Sequence, residues 1–318
     1  MLDRLGAMMW ESPLRQAAEI PAPSYGGPAC AAFDVEHAPA WLASVGLPPS
    51  LQTLQAANFL VVNGAMLLVY ALATRWPRRP LSTVEAEQQR QRPEEATTGL
   101  DRFLSVCLGV PLLAKVAFGV LGNKAISVIN PCHVLNAVQW WAMTRRGAST
   151  SRAMLMFLPW ICGATVAMIT PDPEVEFPGE VAQFWVEHAM IAIVAPLYFV
   201  VRDGDAASNP EGLLGTLARD PAAFVRGILW YYLQSFLVLM PLARLTTINS
   251  NYMLCPPAII WSKGAAYMTF WLSCAFPVAL VLSWNMVLLG RLVLWCSPTL
   301  FQPRRAAALA AAKSAKKA

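Results

Sequence analysis

The stretch Val181–Val201, VAQFWVEHAMIAIVAPLYFVV, decides the fold. It is apolar for long enough to cross a hydrocarbon core of roughly 30 Å, which takes about 20 helical residues. Its first half nevertheless carries Gln183, Glu187 and His188. Ionisable side chains at such depth are costly and are functional by default. A second stretch, Ile126–Met143 (ISVINPCHVLNAVQWWAM), has the same character, with Cys132 and His133 a few residues inside it. The chain has only three histidines, and two of them lie in these segments.

Composition agrees with a membrane reading. Apolar residues make up 56% of the chain and charged residues 14%, against about 25% charged in soluble proteins. Seven stretches are long enough to span: Leu54–Thr74, Phe103–Leu121, Ile126–Met143, Ala153–Thr170, Val181–Val201, Phe224–Ala243 and Ala265–Trp295. The third and fourth are short, and the seventh is long enough to tilt or to kink at Pro277. The expected fold is an all-α polytopic bundle of about seven transmembrane helices over residues 54–295. Residues 1–53 form a Pro-rich N-terminal region without the continuous apolar core of a signal peptide, and residues 296–318 an Ala/Lys tail expected to be disordered. The net charge of +5 comes with no basic patch interleaved with aromatics, so no nucleic-acid partner is expected. The seven cysteines form no CxxC pair and no zinc-ligand spacing, so neither metal nor other cofactor is expected.

Orientation follows from the cations. Arg75, Arg78, Arg79, Arg90, Arg92 and Arg102 follow span one; Arg145, Arg146 and Arg152 follow span three. Arg202, Arg219 and Arg226 follow span five, and Arg304, Arg305, Lys313, Lys316 and Lys317 lie in the tail. The other face has only Arg4, Arg15, Lys124, Arg244 and Lys263. The positive-inside rule places the N-terminus in the lumen and the C-terminus in the cytosol.

With that orientation, spans three and five both enter from the lumen, and Cys132 and His188 both lie roughly 9–11 Å below the boundary at 1.5 Å per residue. If the two helices are neighbours, thiol and imidazole share a plane. Asn130-Pro131 reads as an N-cap followed by Pro at the first helical position. Cys132 would then sit in the first turn, where free N–H groups and the helix dipole favour a thiolate and can hold an oxyanion. The competing reading is a proline kink around an inert thiol. His133 follows Cys132 directly, points about 100° away on a helix, and reads as a supporting donor or headgroup contact. Glu187 could orient His188 or bind a lipid amine; because sequence neighbours do not face each other on a helix, the headgroup contact is preferred. Lys115 reads either as a snorkelling cation or as a phosphate contact. Asn63, Asn136, Gln139 and Gln183 read as interhelical hydrogen-bonding groups. Cys30 and Cys255 both fall on the lumenal side, where a disulfide is possible.

Three motifs carry a resemblance to a known family. Asn130-Pro131-Cys132-His133-Val134, Glu187-His188 followed by Ala195-Pro196-Leu197-Tyr198, and Asn251-Tyr252-Met253-Leu254-Cys255-Pro256 occur in this order. Together they resemble the transmembrane protein 164 family, over roughly Leu54 to Trp295. Bacterial multi-pass relatives share the later two patterns more loosely. The resemblance implies an endoplasmic-reticulum acyltransferase with a cysteine centre, moving a polyunsaturated acyl chain from a phospholipid donor to a lyso ether phospholipid acceptor. It implies Cys132 as nucleophile and His188 as its partner. Asn251 and Tyr252 match the pattern and are taken, with His133, Glu187, Asn130 and Lys115, as candidates for substrate binding. The first 53 residues and the tail from Arg304 match nothing in it. The expected chemistry is a ping-pong exchange through a thioester, with the active site toward the lumen. An intramembrane lipid hydrolase using the same pair, and a seven-span receptor or transporter, are the alternatives.

Overall fold

The computed structural model describes residues 64–65, 67–77, 79–80, 98–121, 128–145, 147–169, 171, 178–203, 212–239, 242 and 267–296. These are helical, with no strand among the described residues. We number the helices α1 (Gly99–Leu121), α2 (Pro131–Met143), α3 (Ala148–Phe157), α4 (Ile161–Ile169), α5 (Glu180–Ala189), α6 (Ala195–Asp203), α7 (Leu213–Arg219), α8 (Pro221–Leu233) and α9 (Tyr267–Cys296). A 3-10 turn, Leu158–Trp160, joins α3 to α4. It contains Pro159, which has no N–H to continue an α-helical ladder. π-helical turns at Met190–Val194 and Gln234–Leu239 join α5 to α6 and extend α8.

Among the described residues, five helical stretches are long and apolar enough to cross a membrane: Gly99–Leu121, Ser149–Ile169, Glu180–Asp203, Pro221–Leu239 and Pro277–Cys296. They correspond to expected spans two, four, five, six and seven. The expected span three is not one of them. Its helix is only 13 residues long, about 20 Å, because Pro131 starts it well inside the apolar stretch. Of expected span one, helical residues 64–65 and 67–74 are described. The fourth and sixth spans begin earlier than expected, at Ser149 and Pro221. α9 runs unbroken through Pro277.

α1 and α9 each have a packed face and an apolar outer one. On α1, Leu104, Leu108, Leu112 and Lys115 are buried, while Phe103, Val106, Val110, Leu113 and Val120 are exposed. α9 likewise exposes Trp284, Leu288, Leu292 and Trp295. Faces of this size would drive association in water; in a bilayer they meet acyl chains. α2 packs against α1, α3 and α4, α8 packs against α3, and α9 packs against α6. Close approach depends on glycine at two crossings: a Cβ on Gly227 would overlap the Met156 carbonyl, and one on Gly290 would overlap Val200.

The paired arginines Arg202 and Arg226 and their acidic partners lie at one end of the bundle. Thr98 and Asp101 cap α1 reciprocally, with Thr98 N–H donating to Asp101 Oδ2 (2.7 Å) and Asp101 N–H to Thr98 Oγ1 (3.1 Å). Asp101 is fully buried and accepts a hydrogen bond from the Tyr198 hydroxyl at 3.0 Å, with Arg202 3.5 Å away. Arg202 also pairs with Asp203 at 3.1 Å, and Asp203 accepts from Ser151 Oγ (2.7 Å) and Leu213 N–H (3.0 Å). Arg226 pairs with Asp220 at 2.7 Å and donates to the Ala73 carbonyl at 3.1 Å. Tyr198, the last residue of the Ala195-Pro196-Leu197-Tyr198 motif, thus serves to tie α6 to α1.

Candidate active site

The opposite end of the bundle holds a polar cluster built by α2 and α5. α2 begins at Pro131 as its sequence predicts, with Asn130 at the N-cap (φ −58°, ψ 148°). The capping differs from expectation, since the Asn130 side chain makes no cap hydrogen bond. Its carbonyl instead accepts from the N–H groups of His133 (3.0 Å) and Val134 (3.1 Å). Those two N–H groups are therefore engaged, and the first-turn donor not turned to that carbonyl is the Cys132 N–H. The expected multi-donor oxyanion site is correspondingly reduced.

Cys132 is a free thiol, partly buried, and it interacts with two imidazoles, those of His133 and His188. His188 comes from the last turn of α5 and is buried. Its Nδ1 lies 2.7 Å from the Phe184 carbonyl. A carbonyl only accepts, so Nδ1 carries a proton and Nε2 is the nitrogen left for the thiol. The Phe184 ring also lies against the imidazole, with centroids 4.1 Å apart. One residue a turn earlier therefore sets both the tautomer and the plane of the ring.

Glu187 departs most from its sequence reading. It is fully buried and turned inward, not toward a headgroup. Its Oε1 accepts from His133 Nδ1 at 2.7 Å and from Asn136 Nδ2 at 2.9 Å. Gln183, one turn before it, donates to Oε2. His133 is not a headgroup contact either: it is buried, bridging Glu187 and Cys132. Of the successive residues Glu187 and His188, the first thus holds the His133 imidazole and the second is held by the Phe184 carbonyl. The expected interhelical role of Asn136 and Gln139 holds, since Gln139 Nε2 donates to the Ile191 carbonyl at 2.9 Å. Ile191 lies in the π-helical turn, where the regular ladder is interrupted, and π-turns recur at functional sites.

Lys115 lies on the packed face of α1, buried and not snorkelling outward. Asn251, Tyr252, Asn63, Cys30 and Cys255 lie outside the described residues, and with them the possible disulfide. Two contributors went unnoticed in the sequence. Gln234, in the π-helical extension of α8, donates to the Ile129 carbonyl at 2.6 Å and fastens the approach to Cys132. Phe184 supplies the carbonyl that orients His188. Among the described residues no group of His, Cys, Asp and Glu could hold a metal ion.

Apolar membrane-length helices surrounding a buried thiol with two imidazoles define an α-helical integral membrane protein with an internal Cys–His centre. The TMEM164 family model matches residues 50–289, and the chain belongs to that family. No solved structure matches the chain.

Proposed function

We propose that this protein is a membrane transacylase that moves a fatty acyl chain from a phospholipid to a lyso ether phospholipid through a thioester on Cys132. The observation that carries this reading is the meeting of Cys132 and His188 from two different helices, with His188 held in the tautomer that leaves Nε2 basic. Family membership and the resemblance of the motifs support it.

In the first half-reaction His188 Nε2 takes the thiol proton and the sulfur attacks the donor ester carbonyl. The acyl–oxygen bond breaks, the lysophospholipid oxygen takes the proton from His188, and a thioester remains. In the second half-reaction an acceptor hydroxyl gives its proton to His188 and attacks the thioester. The carbon–sulfur bond breaks and the thiolate is restored. Asn130 and Lys115 remain candidates for headgroup contact, as do Asn251 and Tyr252. The excess of Lys and Arg on the loops at the ionic end supports a cytosolic position for that end. The Cys132 site then faces the lumenal leaflet, and the endoplasmic reticulum is the proposed membrane. Two further spans, formed by residues around 54–74 and 126–143, would complete a seven-span bundle.

The test is transfer of a labelled acyl chain from phosphatidylcholine to lyso ether phosphatidylethanolamine in membranes without added acyl-CoA. Cys132→Ala and His188→Ala should each abolish transfer while the protein stays folded. Transfer that persists in Cys132→Ala removes the nucleophile assignment. Release of labelled fatty acid in place of transfer makes the protein a hydrolase.

A further inference from the structure

The two imidazoles at Cys132 are anchored by different chemistry. His188 rests on a neutral backbone carbonyl. His133 rests on a carboxylate that has no solvent exposure. A buried carboxylate must find its counter-charge inside the protein, because stripping its water costs several kcal/mol. Asn136 and Gln183 give Glu187 hydrogen bonds but no charge. The group touching it that can carry a charge is His133, at 2.7 Å.

We propose that His133 and Glu187 form a standing imidazolium–carboxylate pair that keeps Cys132 as a thiolate, leaving His188 as the only proton carrier of the cycle. The proposal rests on the reading of Cys132 as the nucleophile. His133 acts directly on the reacting sulfur; Glu187 is a positioning residue that acts through His133. At rest the thiol proton sits on His188 Nε2, and the four groups together are neutral. Attack forms the sulfur–carbon bond and breaks the ester carbon–oxygen bond, whose alkoxide takes the His188 proton. Return transfers the acceptor hydroxyl proton to His188, forms the new ester bond and expels the sulfur as thiolate. The His133–Glu187 pair gains and loses no proton at any step. Its positive end faces the sulfur both when it attacks and when it leaves. The other ionisable side chains buried on the elements packed around the cluster are Lys115 of α1, Cys162 of α4 and Glu180 at the start of α5; Asp101, Tyr198 and Arg202 belong to the opposite end.

The experiment is alkylation of Cys132 by iodoacetamide in the solubilised full chain, read at that cysteine by peptide mass spectrometry across pH. His188→Ala should keep its neutral-pH rate within about threefold of wild type while losing acyl transfer. Glu187→Gln, which keeps the shape and removes the charge, should slow alkylation on the order of tenfold at neutral pH and recover at alkaline pH. His133→Gln should do the same. The double variant His133→Gln/Glu187→Gln removes both charges and leaves no buried carboxylate unpaired, so it carries the test where either single variant does not fold. Wild-type rates in both Glu187→Gln and His133→Gln overturn the proposal. So does loss of rapid alkylation in His188→Ala, whether or not the other two variants also slow. The readout is independent of any acyl acceptor. The predicted alkylation pattern in a protein that transfers no acyl chain would leave the pair standing and defeat the transacylase reading.

Discussion

Replacing Arg226 with Met should destabilise the protein far more than its position near a helix end implies. Arg226 is 5% exposed and Asp220 4%. One guanidinium nitrogen, Nη2, donates to both Asp220 oxygens at 2.7 Å, and Nη1 reaches the Ala73 carbonyl at 3.1 Å. Asp220 also caps α8 by accepting from Ala223 N–H at 3.2 Å. Methionine fills similar space but leaves a buried carboxylate without its cation, a loss of about 3–5 kcal/mol. The Ala73 carbonyl keeps the Trp76 N–H at 3.3 Å and so adds little to this loss. The midpoint of thermal unfolding should fall by on the order of 10 °C, followed through the chain's 12 tryptophans in lipid nanodiscs. Adding Asp220→Asn should restore a large part of the loss, because a neutral amide tolerates burial better than an unpaired carboxylate. A single variant that melts within about 2 °C of wild type, or a double variant no better than the single, would show that the pair is solvated and that burial carries none of this cost.

Two further outcomes follow from the same structure. Glycosylation sites inserted into Asp172–Glu180 should be modified and those inserted into Arg75–Arg102 should not, since the latter carries six arginines and the former no Lys or Arg; the reverse pattern would place the Cys132 site toward the cytosol. Gln139→Met should cost about 1–3 kcal/mol by deserting the Ile191 carbonyl and should lower acyl transfer by roughly tenfold or more as the π-turn after His188 shifts, with unchanged transfer arguing that the turn does not set the position of that imidazole.

What could be read from the sequence was what depends on one segment at a time. Apolar runs announced five of the helices. Asn130-Pro131 announced where α2 begins, because a proline without an N–H fits the first helical position and little else nearby. Gln183, read as an interhelical group, instead bonds Glu187 one turn along its own helix, as a spacing of four allows. The errors arose where two segments meet. Glu187 was assigned to a headgroup because its sequence neighbour His188 lies on another face of α5. That geometry is correct, but it says nothing of α2, which brings His133 and Asn136 to the carboxylate. The π-turns were equally hidden. No residue in Met190–Val194 marks one, and only Pro196 just beyond it, which has no N–H for the ladder, gives a local sign. Hydropathy sees a continuous apolar run across Asn130-Pro131, and it is the Asn-Pro pair that tells where within that run the regular helix starts.

That short helix is what makes the site possible. A helix crossing the whole bilayer would bring its N-terminus to the interface and expose a first-turn cysteine to water. Starting α2 at Pro131 sets the first turn inside the apolar layer, where α5 can place both Glu187 and His188 beside it. It also frees the preceding carbonyls from the helical ladder, and the Ile129 carbonyl is taken by Gln234 of the α8 extension. The thiol is therefore fixed from three directions: by its own N-terminal turn, by the imidazole rotated into place by Phe184, and by the imidazole gripped by Glu187. On the proposed reading, a thioester on Cys132 would have to be kept from bulk water until an acceptor hydroxyl arrives, and a first turn packed among apolar helices is suited to that demand.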